Sequence, residues 1–369
     1  MYIDNILIKN FRNYSKAELF FTSGINFIIG PNATGKTNIL EAISITSNIR
    51  SFRGVSDNKI IKWGENSYYC CSKVLNSDYT MFEVGCEIES SRLKKRASID
   101  GNHIKSSSEF YGKLLTIILS PDDIYIIKGT PDIRRKYFDG LISKIDKIYF
   151  RCLNDFKKIL SSRNSVLKKI RESKSNDYNE LEVWDAVFAE KASIILEKRR
   201  KFLYTFNNYY NDIYLKISNY DDSPKIEYYS LIESFDEDNI KKELLNRRKR
   251  DIITCSTSIG PQRDDYLFLN INDINLKHYA SQGQNRTASI ALKIAEYNYI
   301  EGESGKRSVI LIDDIFSELD KNRRENFVNI IMNKNQVIIT MVNNSLINYN
   351  DFFNNKVFLV EQNGVIKEA

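Results

Sequence analysis

Ile25-Asn26-Phe27-Ile28-Ile29-Gly30-Pro31-Asn32-Ala33-Thr34-Gly35-Lys36-Thr37-Asn38 is the stretch on which the fold turns. A mostly apolar, β-prone run ends in a glycine, and the loop after it has the G-x-x-x-x-G-K-[ST] spacing of a phosphate-binding loop. Beyond the loop, Ile39, Leu40 and Ile43 share one helical face. The sequence therefore predicts strand, glycine loop and helix in that order, which is the context the motif requires. Gly30 and Gly35 let backbone amides turn toward an anion, and the helix N-terminus adds partial positive charge. Lys36 is placed to reach β- and γ-phosphates, and the Thr37 hydroxyl to ligand Mg²⁺. Gly30, Asn32, Gly35, Lys36, Thr37 and Asn38 are the candidates for holding ATP on this side.

Two further elements stand far down the chain. Val309-Ile310-Leu311-Ile312 is an apolar run of the kind found when both faces of a parallel strand are covered. Asp313 and Asp314 follow it, at the strand end where open α/β sheets place their ligands. Asp313 is the candidate for the Mg²⁺ shell and Asp314, with Lys36, for the chemistry, Asp314 polarising the attacking water. An aspartate pair after an apolar run also serves as an ordinary helix cap. Before that strand, Ser281-Gln282-Gly283-Gln284 opens a segment with Ile290, Ile294 and Tyr297 at helical spacing. Ser281, Gly283 and Gln284 there offer a hydroxyl and free amides to an anion. One helix N-terminus is already committed by the first loop. A second suggests that the γ-phosphate is held from both sides, in a site completed by another subunit.

The chain has 369 residues, room for two domains and a sizeable core. Its net charge of +6 permits nucleic-acid binding without demanding it. Five cysteines without a C-x-x-C spacing argue against a disulfide framework and a cysteine zinc site. His103 and His278 are the only histidines, which disfavours a histidine metal site or a catalytic triad. No uncharged apolar stretch reaches membrane-spanning length, and the N-terminal segment lacks the apolar core of a signal peptide. A soluble, cytoplasmic protein is expected.

The first 120 residues or so read mainly as strands, with Phe82, Val84, Cys86 and Ile88 alternating and a hairpin turn at Asp100-Gly101. Ser120-Pro121-Asp122 and Thr130-Pro131-Asp132 are helix-start signals. From about 130 to 245 the texture is helical and charged. The expected division is a head half at 1–128, an inserted helical lobe at 129–245, and a second head half at 246–369. Lys198-Arg199-Arg200 in the lobe and Arg247-Arg248 where the chain returns to the head are basic clusters, read either as a solvated helix face or as contacts to DNA phosphates.

Taken in order, these motifs resemble the ABC-type ATPase heads of the SMC and Rad50 group, and most closely the RecF family. The similarity also covers Asn10-Phe11-Arg12-Asn13-Tyr14, Ser51-Phe52-Arg53, Ser162-Arg163-Asn164, Gly260-Pro261-Gln262-Arg263-Asp264-Asp265 and Ser317-Glu318-Leu319-Asp320. Phe52 and Gln262 depart from it, standing where the family usually carries histidine. The resemblance implies an α/β fold: an ABC-type ATPase head, with a mixed sheet, a P-loop core and an antiparallel β part, carrying an inserted helical lobe. It implies a weak, DNA-stimulated ATPase acting as a switch, with ATP and Mg²⁺ as cofactors and an ATP-dependent homodimer. It further implies binding to double-stranded DNA at gaps and stalled replication sites, and action with RecR and RecO to load RecA in repair and the SOS response. Another ABC/SMC-like ATPase, of defence or chromosome-associated type, is the alternative.

Other nucleotide enzymes fit less well. A GTPase would show Asn-Lys-x-Asp, whereas Asn333-Lys334-Asn335-Gln336 lacks the aspartate. A small-molecule kinase has no use for the Ser281 element. Thr340 ends its strand where transporter ATPases carry a switch histidine, and too few residues follow Asp320 for a nuclease domain.

Overall fold

Alternation of apolar and polar residues builds the first sheet, and unbroken apolar runs build the second. The computed structural model of the chain describes residues 1–90, 92–174, 177–218, 224–343, 352 and 354–368. Its elements run β1 (Tyr2–Phe11), β2 (Tyr14–Phe20), β3 (Ile25–Ile29), α1 (Lys36–Asn48), β4 (Ser67–Leu75), β5 (Tyr79–Glu89), β6 (Arg92–Ile99), β7 (Asn102–His103), α2 (Ser107–Phe110) and β8 (Thr116–Leu119). Then come α3 (Ile124–Lys128), α4 (Pro131–Ile145), α5 (Lys147–Ser173), α6 (Asn179–Ser218), β9 (Lys225–Tyr229), α7 (Glu237–Thr254), β10 (Asp265–Leu269) and α8 (Leu276–Tyr279). The chain finishes with α9 (Gln282–Ser304), β11 (Val309–Asp313), α10 (Lys321–Met332), β12 (Gln336–Met341), β13 (Asn355–Val360) and β14 (Ile366–Glu368).

The chain divides into two compact units, one of Met1–Asp123, Leu215–Asn219 and Ser289–Ala369, the other of Ile124–Tyr214 and Tyr220–Ala288. In the first, β2-β1-β4-β5-β6-β7 form an antiparallel sheet, and β14-β13-β3-β12-β11-β8 a second sheet. The five strands from β13 to β8 pair in parallel, with β14 antiparallel at the edge. Ile39, Leu40 and Ile43 of α1 are fully buried in one core with Ile6, Ile8 and Val84 of the antiparallel sheet and Leu311 and Ile338 of the parallel one. Each such side chain contributes about 1.5–3 kcal/mol on burial, so α1 is locked between the sheets and the loop before it has a fixed exit. At the β6–β7 hairpin, Asp100 (φ 50°) and Gly101 (φ 76°) are both left-handed, the backbone of a two-residue turn whose twist suits a hairpin.

The second unit is mainly helical, with charged groups inside it. Arg163 is fully buried; its Nε donates to Asp185 at 2.7 Å and its Nη1 to Asp251 at 3.0 Å and Thr257 at 2.8 Å. Asn164 accepts from the Thr257 amide at 2.9 Å. Arg134 binds Asp265 through two contacts of 2.7 and 2.8 Å. The motifs around Arg163 and Asp264-Asp265 thus serve to assemble this unit. It extends past residue 245, where the sequence places the return to the head, because β9 and β10 pair antiparallel across that point. β9 itself lies inside a stretch whose composition reads as helical; its strand conformation comes from that long-range pairing.

The five cysteines are unpaired, and burial pushes the Cys70 thiol well up, away from the reactive thiolate. Among the described residues, no helix is long and apolar enough to cross a membrane.

Candidate nucleotide site

The phosphate loop is shaped by what surrounds it. A Cβ at Gly30 would lie 2.2 Å from the Val360 carbonyl oxygen, so only glycine fits. Ala33 (φ 65°) and Gly35 (φ 107°) turn the chain through left-handed conformations into α1. That helix begins with no side-chain cap and no acid in its first turn. The Asn38 amide donates to the Gly35 carbonyl at 2.9 Å, and no side chain caps the amides before it, which suits a helix start to anion binding. Lys36 Nζ donates to the carbonyls of Gly30 and Pro31, both at 2.7 Å, folding back over the loop. Burial lowers its pKa, opposed by the charges of Asp314 and Asp313. Asn32 stands exposed at the crest.

The tertiary fold brings the distant acids to this loop. Thr37 Oγ1 donates to Asp313 Oδ1 at 2.7 Å, and Thr340 Oγ1 donates to the same oxygen at 2.8 Å. The Asp314 amide donates in turn to the Thr340 hydroxyl at 3.1 Å and to its carbonyl at 3.2 Å. Asp314 has φ 48°, a conformation that costs a non-glycine residue about 1–2 kcal/mol. Strain of this kind is retained where surrounding structure enforces it. Burial raises the Asp314 pKa, Lys36 pulls it down, and Asp313 adds to the rise. A carboxylate held above its ordinary range is a better proton acceptor near neutral pH. Thr37 and Asp313 supply adjacent hard oxygen donors, the set that suits Mg²⁺.

A bracing layer lies behind the loop, and the side chain of Asn38, a candidate for holding ATP, belongs to it. The β1–β2 turn, Arg12-Asn13, sits against α1. Asn13 Nδ2 donates to the Thr34 carbonyl at 3.0 Å, and Asn38 Nδ2 donates to Asn13 Oδ1 at 2.9 Å. Arg12 grips the fully buried Glu41 through contacts of 2.9 and 2.7 Å. The Ser51 hydroxyl adds a bond to Glu41 at 2.5 Å. Arg53 lies 3.5 Å from Glu41 and donates to Asn38 Oδ1 at 3.2 Å. Arg12, Asn13, Ser51 and Arg53 fall in segments that resemble the family, and Glu41 ends the resembling stretch that begins at Gly30; no motif marks it as the acid these residues hold.

Ser281 and Gln284 form a reciprocal cap at the start of α9. The Ser281 amide donates to Gln284 Oε1 at 2.9 Å, and the Gln284 amide donates to Ser281 Oγ at 3.2 Å. The Gln284 amide is therefore engaged, which leaves those of Gln282 and Gly283 for an anion. These residues are counted with the second unit, the phosphate loop with the first.

The expected DNA contacts are mostly tied to acids. Arg199 must be corrected: it is 1% exposed, its guanidinium holding Asp139 at 2.8 and 3.0 Å and the Pro261 carbonyl at 2.8 Å. A group sealed in this way cannot meet a phosphate. Lys198 pairs with Asp146, Arg200 with Glu197 at 2.8 Å, Arg247 with Glu243 at 3.5 Å, and Arg248 with Glu182 at 3.1 Å.

Comparison with known proteins adds to this geometry. The family described as RecF/RecN/SMC N terminal domain matches residues 2–366. The DNA replication and repair protein RecF of Caldanaerobacter subterraneus subsp. tengcongensis is 40% identical, with 88% of this chain and 90% of that one covered. The Clostridium botulinum protein of the same name is 37% identical, with all of both chains covered. A solved structure of the recombination mediator RecF with ATP, in the RecFOR pathway, superposes with TM-score 0.88 at 35% identity, covering 100% of this chain and 97% of that one. A Smc head domain from Pyrococcus furiosus, at 15% identity and TM-score 0.57, shares the fold.

Proposed function

The chain belongs to the RecF group of the RecF/RecN/SMC N-terminal-domain family, and from that premise we propose that it is an ATP-dependent, DNA-binding switch of recombinational repair. The observation that carries the reading is the 2.7 Å bond between Thr37 and Asp313 beside an uncapped helix N-terminus. Loop amides between Gly30 and Asn38, with Asn32 at the crest, bind the phosphates. Lys36 leaves the Gly30 and Pro31 carbonyls to meet the β- and γ-phosphates. Thr37 and Asp313 would hold Mg²⁺, which when bound offsets charge on the phosphates. Asp314 accepts the proton of the attacking water. The Ser281 hydroxyl and the Gly283 amide of a second copy, on a helix end capped by Gln284, close the site over the γ-phosphate, so ATP joins two chains and slow, DNA-stimulated hydrolysis parts them. In the cytoplasm the dimer holds double-stranded DNA at gaps and stalled forks, where with RecR and RecO it promotes RecA loading.

The two-copy site is tested by mixing subunits. Ser281→Arg should leave nucleotide binding intact but abolish ATP-dependent dimerisation and hydrolysis, because a bulky side chain obstructs the α9 end. Lys36→Met fails at the other half. In a head-to-tail pair one site carries both defects and the other neither, so the mixture should regain part of the activity. A mixture that pairs yet stays inactive, or a Ser281→Arg monomer that hydrolyses ATP, would overturn this reading.

A further inference from the structure

The outer face of the antiparallel sheet carries a row of side chains that the ATP site does not use. Lys16 on β2 lies opposite Lys9 on β1, and Lys9 opposite Tyr69 on β4. Tyr69 in turn lies opposite Gly85 on β5, and Gly85 opposite Arg96 on β6. At about 4.8 Å between strands the row spans roughly 19 Å. Lys9 and Lys16 are exposed, and like charges directly opposite one another destabilise a sheet. Among the described residues Lys16 has no carboxylate partner, and the contact of Lys9 is with the Tyr69 ring, its ammonium 5.8 Å from the centroid. The pair presents two ammonium groups that no carboxylate offsets, a local attraction for an anion.

On the far side of Tyr69 the row is interrupted by a notch of about 470 Å³, walled by Tyr69, Glu83, Glu87, Lys94 and Arg96 over Gly85. The backbone does not demand glycine there. An added Cβ would meet the Tyr68 carbonyl oxygen at 3.4 Å and Tyr69 Cδ2 at 3.8 Å, ordinary contacts. Glycine inside a strand weakens it and often marks the close approach of a ligand. The charges decide what enters. Glu83 accepts from Tyr69 at 2.5 Å and Ser98 at 2.9 Å, and Glu87 pairs with Arg96 at 3.1 Å. Two carboxylates repel a phosphate but accept from the amino group of a base, while the unmatched lysines next door attract phosphate.

We propose that this face binds single-stranded nucleic acid, its phosphates on Lys9 and Lys16 and one unpaired base stacked against Tyr69 above Gly85. A base inside a duplex has both faces covered by its stacked neighbours and its amino group engaged in pairing, so the site would favour the unpaired strand of a gap over intact duplex. The inference rests on DNA being the partner. Its test is fluorescence anisotropy of the full chain with ATP, on a single-stranded oligonucleotide, a gapped duplex and a blunt duplex. Gly85→Val fills the notch with a strand-forming side chain. It should weaken binding to the single strand and the gapped duplex about tenfold, the scale of one lost stacking contact, and leave blunt duplex unchanged. Lys9→Glu with Lys16→Glu should lower the single-strand salt slope by about 1.4, at about 0.7 for each lost phosphate contact. Measured alongside, unfolding midpoints should be no lower than the parent's, with Gly85→Val at or above it, and nucleotide-analogue affinity should match the parent. Parent-like single-strand affinity in Gly85→Val overturns the stacking site, and an unchanged slope in the lysine pair overturns the face. A parent chain that binds none of the three DNAs overturns the function proposed above as well; one that binds only duplex overturns this inference alone.

Discussion

Replacing Glu41 by alanine should loosen the phosphate loop without removing any group that meets a phosphate. Glu41 is fully buried and accepts two bonds from Arg12, at 2.9 and 2.7 Å, and one from Ser51 at 2.5 Å, with Arg53 at 3.5 Å. Removing one partner of a buried ion pair costs about 3–5 kcal/mol, most of it the penalty on the charge left behind. The Arg12 side chain keeps 19% exposure and a 2.8 Å bond to the Lys59 carbonyl, so the loss should sit near the low end, about 3 kcal/mol. With a urea slope of roughly 3 kcal/mol per M, the unfolding midpoint should fall by about 1 M. Glu41→Gln keeps the shape and one acceptor but loses the charge, and should lie between parent and alanine. Arg12 and Asn13 share the turn that clamps the Thr34 carbonyl, so affinity for a fluorescent ATP analogue should drop about tenfold at low urea, equivalent to about 1.4 kcal/mol. Urea unfolding followed by circular dichroism and an analogue titration measure both. Stability within about 0.5 kcal/mol of the parent, the range of ordinary surface changes, together with unaltered affinity, would refute the bracing role.

Lys36→Arg should sharply lower ATP binding or hydrolysis at unchanged stability, because a planar guanidinium cannot take the place of a compact ammonium; wild-type turnover would remove the loop assignment. Asp314→Asn should still bind Mg-ATP but hydrolyse it poorly and accumulate the ATP-bound dimer on size exclusion. In the parent, hydrolysis should fall on acidification at a pH above the ordinary aspartate range, since the Asp314 pKa is raised by burial; normal turnover in the variant would move the base elsewhere. Burial pushes Asp123 up to about 6, partly offset by Lys293. A folded pKa above the unfolded one favours folding while the group is protonated. That contribution is complete below about pH 4 and lost as pH rises through 6. Asp123→Asn should therefore gain stability relative to the parent at pH 8 compared with pH 4, and identical pH dependence in thermal melts would contradict it.

Much of the site was legible in the chain because its parts are local. A phosphate loop is specified by glycines at fixed spacing between a strand and a helix, and Gly30 to Thr37 with Ile39 and Ile43 contain that information within one short segment. The capping pair Ser281 and Gln284, the hairpin turn at Asp100-Gly101 and the apolar run before Asp313 are local in the same sense. Their periodicities and turn residues act over a few positions, and a linear reading sees them. What it could not see were pairings between segments. Glu41 and Arg199 are charges on amphipathic helices, and only the packed structure shows them sealed against Arg12 and Asp139. β9 became a strand because β10 pairs with it, against the helical texture around it. The 2.7 Å contact of Thr37 with Asp313 depends on β11, β12 and β3 lying side by side in parallel. Local sequence sets what each segment can do. Whether a charge is solvated, paired or poised beside a phosphate depends on neighbours hundreds of residues away in the chain, and their distances are fixed only when the sheets and helices close on a common core.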